Sequence, residues 1–291
     1  MIAGRDSTAA RPLRISLQLH PYGAGRRLLL TRDITALEQA EVMRRDFVAN
    51  VSHEIRTPLT VLTGFVETMQ HLDLSPPERA RYLALMAQQS HRMQTLVSDL
   101  LTLSRLEGSP LPQAGEWTAA AVLAAQSEQE ARALAQSLGK SLELHFSPAP
   151  RCELAGSHGE LFSALSNLVS NAVRYTPTGG SIDVEWRLQP AGGVAFSVRD
   201  TGPGIAPEHL PRLTERFYRV DRSRSRETGG TGLGLAIVKH VAKRHGAELK
   251  IDSTPGAGST FSVVFPAARV RDLLSAKAAP PALTATGSPA G

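Results

Sequence analysis

The sequence predicts an α + α/β chain, in which a long helical hairpin is followed by an α/β sandwich. Apolar residues recur at helical spacing over residues 38–107, interrupted only at Ser75-Pro76-Pro77. Beyond residue 118, stretches of period two alternate with stretches of period 3.6, the pattern of helices packed on a sheet. A Gly/Pro-rich linker over 108–118 separates the two regions.

Ahead of the hairpin, Leu13-Arg-Ile-Ser-Leu-Gln-Leu19 alternates apolar with polar. A Gly23-Ala-Gly25 turn then leads to Leu28-Leu-Leu30 and Asp33-Ile-Thr35, which predicts one β-hairpin. A lone hairpin is marginal in water, so residues 1–37 are expected to be the C-terminal remnant of a larger sheet domain. From about Glu38, Phe47, Val51, Ile55, Leu59, Leu62, Val66 and Met69 mark one helical stripe. A second helix is expected from about Glu78, with Tyr82, Leu85, Met86, Gln89, Met93, Leu96, Val97, Leu100 and Leu103 inward, ending at Gly108-Ser-Pro110. One hairpin leaves much of its stripe uncovered. Pairing two across a two-fold axis into a four-helix bundle would cover it, so a homodimer through residues 38–107 is expected.

In the second region a helix is expected over Ala119–Leu138. Strands are marked by Leu142, Leu144 and Phe146; by Ile182, Val184, Trp186 and Leu188; by Val194, Phe196 and Val198; and last by Phe261, Val263 and Phe265. Helices are expected at 158–174 and 233–245. A domain over 119–268 results, followed by a tail over 269–291 rich in Ala, Pro, Thr and Gly that predicts disorder.

The bulk properties narrow the function. The chain has 291 residues, with 32 Lys and Arg against 27 Asp and Glu. That excess is small, and no stretch interleaves basic with aromatic residues, so direct nucleic-acid binding is not expected. Cys152 is the single cysteine, which precludes an internal disulfide or a thiolate cluster and fits a reducing compartment. No window reaches the roughly 18 apolar residues of a membrane span. The expected location is the cytoplasm, or the inner face of a plasma membrane if the chain belongs to a longer protein.

A helix turns about 100° per residue, so His53 lies about 200° from both Val51 and Ile55 and faces away from the buried stripe. Thr57 is one turn further on the same face and Glu54 is adjacent. Pro58 cannot donate to the carbonyl of Glu54, so the helix is expected to kink or loosen there. Further on, Ser157 and Glu160 have capping-box spacing ahead of a helix that carries Asn167 and Asn171 on one face and Leu161, Leu165 and Leu168 on the other. Asp200-Thr-Gly202-Pro-Gly204-Ile205 ends a strand, and Gly229-Gly-Thr-Gly-Leu-Gly-Leu235 opens a helix whose bare N–H groups can hold phosphates. A dinucleotide fingerprint does not fit this last run, because an Arg-rich loop precedes it and the spacing breaks at Leu235. No P-loop motif occurs. Taken singly, the histidine could be an ordinary exposed side chain, the asparagines solvent-facing groups and the glycines simple turns.

Together they read otherwise. Phe47-Val-Ala-Asn-Val-Ser-His53-Glu-Ile-Arg-Thr-Pro58-Leu-Thr closely resembles the H-box of sensor histidine kinases, and Asn167-Leu-Val-Ser-Asn171-Ala-Val-Arg174-Tyr175 resembles their N-box. Asp200–Ile205, Gly229–Leu235 and Gly256-Ala-Gly258-Ser-Thr260 resemble the three glycine boxes, in the family's order between Glu38 and Pro266. The resemblance implies an ATP-binding domain of the GHKL (Bergerat) type behind a phosphoacceptor hairpin. It implies ATP-dependent phosphorylation of His53 with Mg²⁺, and transfer to an aspartate on the receiver domain of a response regulator.

Glu54 can hold the second imidazole N–H and accept its proton while the free ring nitrogen attacks. By resemblance, Thr57 helps orient water for dephosphorylating the partner, and Asn171 offers its carbonyl oxygen to Mg²⁺. Asp200 accepts from the adenine amino group. Asn167, Arg174, Tyr175, Gly202, Gly204, Ile205, Gly230, Thr231, Gly232, Leu233, Gly234 and Thr260 contact the nucleotide. Between the glycine boxes, Glu215–Arg226 reads as a lid in which Arg219 meets the phosphates.

The lead-in Thr31-Arg-Asp-Ile-Thr35 with Pro58-Leu-Thr-Val-Leu-Thr-Gly-Phe-Val-Glu67 is most similar to the phosphate-regulon sensor branch, whose full-length members are membrane-anchored and carry a PAS-like sensory domain. His158 replaces a usual acidic residue, and Leu213-Thr-Glu215 a region where phenylalanine is common. Two other functions fit parts of the pattern: a dimeric nucleotide-binding scaffold without catalysis, and another ATPase of this fold, such as a chaperone or topoisomerase subunit. The H-box hairpin is foreign to the latter.

Overall fold

The computed structural model describes residues 13–23, 25–112, 115–221 and 230–272. It divides into two units, Met1–Ser90 and His91–Gly291.

In the first unit, β1 (Ile15–Tyr22) pairs antiparallel with β2 (Arg26–Asp33), in register from Ile15 opposite Asp33 to Tyr22 opposite Arg26. Helix α1 (Thr35–His71) follows almost without a linker. It starts three residues before the expected Glu38, because Asp33 Oδ1 accepts from the Thr35 N–H (2.8 Å) and the Ile34 N–H donates to the Arg14 carbonyl (2.9 Å). These bonds tie the helix start to the strand pair. Pro58 is buried, and α1 continues through it without a break. Helix α2 (Pro76–Gly108) begins at the two prolines rather than after them. Proline fits the first helical turn, where its missing N–H costs nothing. Ser75 completes this start: its N–H and hydroxyl both donate to Glu78 Oε2, at 2.9 and 2.5 Å. The first turns of α2 meet α1 through the Phe65 and Tyr82 rings, edge to face at 5.5 Å.

The second unit contains the end of α2 and then β3 (Trp117–Ala119), α3 (Ala120–Ser137), β4 (Glu143–Phe146), β5 (Cys152–Ala155) and α4 (His158–Tyr175). These are followed by β6 (Ser181–Leu188), β7 (Val194–Asp200), α5 (Gly234–Arg244), β8 (Glu248–Thr254), β9 (Gly258–Phe265) and β10 (Val270–Asp272). Five strands form the main sheet in the order β4-β6-β7-β9-β8, with β4 parallel to β6 and every other pair antiparallel. The core lies between this sheet and the helices. Ile182, Val184 and Trp186 of β6 are buried while the residues between them are partly exposed, the signature of a sheet covered on one face. Leu123, Leu161, Leu165 and Leu168 close over Phe196 and Phe265.

Several expectations change here. Strand β8 was not anticipated, although Leu249, Ile251 and Ser253 alternate inward. Strands β3, β5 and β10 form a second, three-stranded sheet, so the expected linker ends at Glu116 and the expected tail begins with a strand. The edge strand β10 is held by Val270 opposite Leu154, by an ion pair from Arg271 to Glu153, and by the Arg271 guanidinium 4.3 Å over the Trp117 ring. Residues 273–291 of the expected tail lie outside the described residues. On α2, Leu96, Leu103 and Leu106 are buried, whereas Val97, expected inward, is 46% exposed. The Ser157–Glu160 capping box does not close either. Ser157 is the N-cap of α4 without a side-chain bond, and Glu160 is instead gripped by Arg244 at 2.9 Å through each carboxylate oxygen.

Candidate functional site

On α1, His53 and Thr57 are exposed, while Val51, Glu54 and Ile55 are half-buried. The Thr57 hydroxyl donates to the His53 carbonyl (3.1 Å), one of a series of such back-bonds that includes Ser52 to Val48 and Thr60 to Arg56. They run through the segment around Pro58, which has no N–H of its own to donate.

In the second unit a cavity of about 380 Å³ opens between α4, the end of β7, the loop before α5 and β9. Its walls bring together Asn167, Asn171, Arg174, Tyr175, Asp200, Gly204, Ile205, Arg219, Gly230, Thr231, Gly232 and Gly234. Residues far apart in sequence thus face one space. Gly202, Leu233 and Thr260 do not line it. Gly202 acts on Asp200 through its N–H, and Leu233 is a fully buried core residue. Thr260 belongs to the other face of β9, where its neighbours Ser259 and Phe261 line the cavity in its place; the period of two in a strand accounts for the one-residue difference. Of the lid expected over Glu215–Arg226, residues 222–226 lie outside the described residues, as does Gly229.

The cavity has two chemically distinct ends. At one, Ile205, Leu213 and Phe261 surround Asp200, whose side chain is 5% exposed. Burial pushes the Asp200 carboxyl up, while N–H bonds from Gly202 (2.8 Å to Oδ1) and Ser259 pull it down. A buried carboxylate in a wall shared with apolar side chains can accept from an amino-bearing heterocycle. Gly204 is required beside it: φ is +67°, and a Cβ would collide with the Thr254 carbonyl.

At the other end lie Asn167, Asn171, Arg174, Arg219 and the loop Gly230-Thr-Gly232 ahead of α5. Asn167 Nδ2 donates to the Ser163 carbonyl (2.8 Å), which fixes the amide orientation and leaves Oδ1 beside Gly234. Gly232 has φ +75° and passes 2.9 Å (measured from an added Cβ) from the Phe217 Cα, while its carbonyl accepts from the Phe217 N–H at 2.8 Å. No bulkier residue could hold the loop there. Helix α5 begins at Gly234, so its unsatisfied N–H groups add positive potential at this end.

Three residues at or beside the site were not expected from sequence. Lys140 donates to the carbonyls of Val173 (2.9 Å), Arg174 (2.5 Å) and Thr176 (2.8 Å), closing the C-terminus of α4 directly beneath Arg174 and Tyr175. Asp99 and Thr95, from α2, line the cavity. None of the three has a local motif, and Lys140 and Asp99 bond across more than 30 residues.

These features define a nucleotide-sized pocket plus an exposed histidine on a separate helix, and comparison with known proteins resolves what they are. Residues 43–109 match the family described as "His Kinase A (phospho-acceptor) domain", and residues 156–269 match "Histidine kinase-, DNA gyrase B-, and HSP90-like ATPase". This chain belongs to the sensor histidine kinases.

The chain is 50% identical over 261 residues to the phosphate regulon sensor protein PhoR of Pseudomonas aeruginosa, covering 89% of this chain and 58% of the relative. It is 39% identical over 227 residues to the sensor-like histidine kinase SenX3 of Mycolicibacterium smegmatis, covering 78% and 58%. The kinase chain thus spans a little over half the length of these relatives. Among solved structures, full-length ShkA in complex with AMPPNP matches with a TM-score of 0.51 and 29% identity, over 76% of this chain and 45% of that one. The Acinetobacter baumannii histidine kinase AdeS shares the fold, with a TM-score of 0.57 and 22% identity over 74% of this chain and 97% of that one. Among the described residues, no helix of this kinase is long and apolar enough to cross a membrane.

Proposed function

We propose that this chain is the ATP-dependent protein-histidine kinase core of a two-component sensor, phosphorylating His53 and passing the phosphoryl group to an aspartate of a response regulator. The observation that carries this reading is the gathering of Asn167, Asn171, Arg174, Asp200 and the Gly230–Gly234 loop around one cavity, in a chain whose preceding helix exposes His53.

ATP is read as substrate, with adenine against Asp200 and the phosphates toward Arg174, Arg219 and the N-terminus of α5. The residues also fit Mg²⁺. Asn171 lines the cavity and its side chain can offer an amide oxygen, a hard ligand suited to this ion. A Mg²⁺ ion held by Asn171 would supply positive charge that offsets that of the phosphates. The chain's own part begins with the free ring nitrogen of His53 as nucleophile: an N–P bond forms as the O–P bond to ADP breaks. Glu54 holds the other ring N–H and accepts its proton as positive charge develops. Arg219 stabilises the charge on the transferring group. Thr57, one turn from His53, positions water for hydrolysis of the partner's acyl phosphate, giving a phosphatase function as well.

The action is proposed to occur in a homodimer through residues 38–107, since Leu59, Val66 and Leu83 are exposed on the single hairpin. The name of the PhoR relative suggests the input, phosphate-regulon signalling. Incubation with γ-labelled ATP and Mg²⁺ tests the proposal. Wild type should acquire label that is lost in acid and resists alkali, and His53→Gln and Asn171→Ala should acquire none. Nucleotide binding without label in wild type would leave a non-catalytic scaffold instead.

A further inference from the structure

Of the three aspartates that line the cavity, Asp99 is the one bonded to the glycine loop proposed to hold phosphate. Asp99 lies on α2, in the unit that holds the cavity, and lines its polar end. Its Oδ2 accepts a 2.6 Å hydrogen bond from Thr231 Oγ1, and Thr231 is only 7% exposed, between Gly230 and Gly232. Arg174 adds a favourable charge interaction. Burial pushes the Asp99 carboxyl up, and Thr231 and Arg174 oppose it. The carboxylate therefore depends on these two partners.

The end of α2 is anchored around this contact. Arg244 donates to the carbonyls of Leu106 (2.9 Å), Ser109 (2.9 Å) and Pro110 (2.7 Å) while paired with Glu160, and Arg216 pairs with Glu107. Asp99 is thus held against the glycine loop by a fixed helix end. If the cavity takes ATP, as proposed above, the triphosphate seeks the same donors from Thr231 and Arg174 and carries the same sign of charge. Both cannot be satisfied at once.

We propose that Asp99 is an anionic latch on the nucleotide loop, displaced by the phosphates of the nucleotide, so that nucleotide binding and release of the α2 segment from the glycine loop are one event. The cost of breaking the Asp99–Thr231 and Asp99–Arg174 interactions is taken from the affinity for ATP. Because α2 also forms the second arm of the phosphoacceptor hairpin, the latch makes the freedom of this helix depend on nucleotide.

The test is a calorimetric titration of the full chain with ATP, ADP and adenosine in the presence of Mg²⁺, for wild type, Asp99→Asn and Asp99→Ala, with thermal melts to establish folding. Asp99→Asn is isosteric and keeps a hydrogen-bond acceptor, so it reads the charge alone. Removing the carboxylate should tighten ATP by about tenfold and ADP by less, and leave adenosine within about twofold, because only phosphates meet the latch. A gain equal for ATP and adenosine would show mere loosening of the loop and overturn the latch. Unchanged or weaker ATP binding in the folded variants would overturn it too. Wild type that binds no adenine nucleotide would sink the nucleotide reading and the latch with it, an outcome distinct from binding that the variants leave unmoved.

Discussion

His245 shows how a single side chain can set a pH limit on the nucleotide-binding unit. It is fully buried, its Nδ1–H donates to the Val241 carbonyl (2.9 Å), and its Nε2 has no hydrogen-bond partner. The bare nitrogen faces Gly156, where a Cβ would overlap the ring. Burial holds the imidazole below its ordinary value of 6.5; the Val241 carbonyl and Glu160 oppose this, and Arg269 and Arg244 reinforce it. The folded state therefore keeps His245 neutral where the unfolded chain would already take up a proton. Stability from this group is complete above about pH 6.5 and is lost as pH falls toward the lower, folded value. Denaturant midpoints measured from pH 7.5 to 5.5 should fall more steeply for wild type than for His245→Gln, by up to about 1.4 kcal/mol per pH unit. Other carboxylates titrate in both proteins and cancel in the difference. Parallel profiles would remove His245 as the cause.

At the scale of the element, helix ends matter more than helix interiors. The spacing Ser-x-x-Glu occurs at 75–78 and at 157–160, yet only the first closes as a cap. Among the described residues Glu78 bonds only to Ser75, whereas Glu160 is recruited by Arg244 from α5, 84 residues away. The same local pattern thus serves the helix in one place and a tertiary clamp in the other. Lys140 plays a comparable part at the opposite end of α4. Its ammonium satisfies three carbonyls that water reaches poorly, and burial lowers its affinity for the proton. Lys140→Met should destabilise the second unit by about 1–3 kcal/mol, since the carbonyls lose a charged donor. It should also weaken ATP binding, because Arg174 and Tyr175 sit on the loosened turn; Lys140→Arg should recover part of both. Thermal unfolding and nucleotide titration read these effects separately. Intact affinity in a destabilised Lys140→Met would show that the cap supports the fold without placing the site.

For the whole molecule, the contrast between the two units is instructive. The second has a closed core, with Leu161, Leu165, Phe196, Val198 and Phe265 almost inaccessible. In the hairpin, Pro58 is the only buried residue of α1, and Leu59 is 52% and Val66 39% exposed. An amphipathic hairpin in this state gains most by covering its stripe with a second copy. Leu59→Glu combined with Val66→Glu should shift sedimentation from dimer toward monomer. Losing two buried aliphatic side chains, at about 1.5–3 kcal/mol each, raises the dissociation constant at least about a hundredfold. An unchanged sedimentation profile would place the contact elsewhere on the chain.

The helical hairpin was legible in the sequence from its periodicity, and the order of the motifs and half of the cavity wall from short stretches that resemble the boxes of sensor histidine kinases. Asn167 and Asn171 share a face because a helix places residues four apart together, and Asp200 ends a strand before two glycines. What tertiary structure decided lies between elements. Strand register moved the cavity-facing residue from Thr260 to Ser259, and pairing with β5 turned Val270–Asp272 into a strand. Packing also brought Asp99, Lys140 and Arg244 to partners more than 30 residues away. No local pattern encodes such contacts, since their energy appears only when folding removes both partners from water.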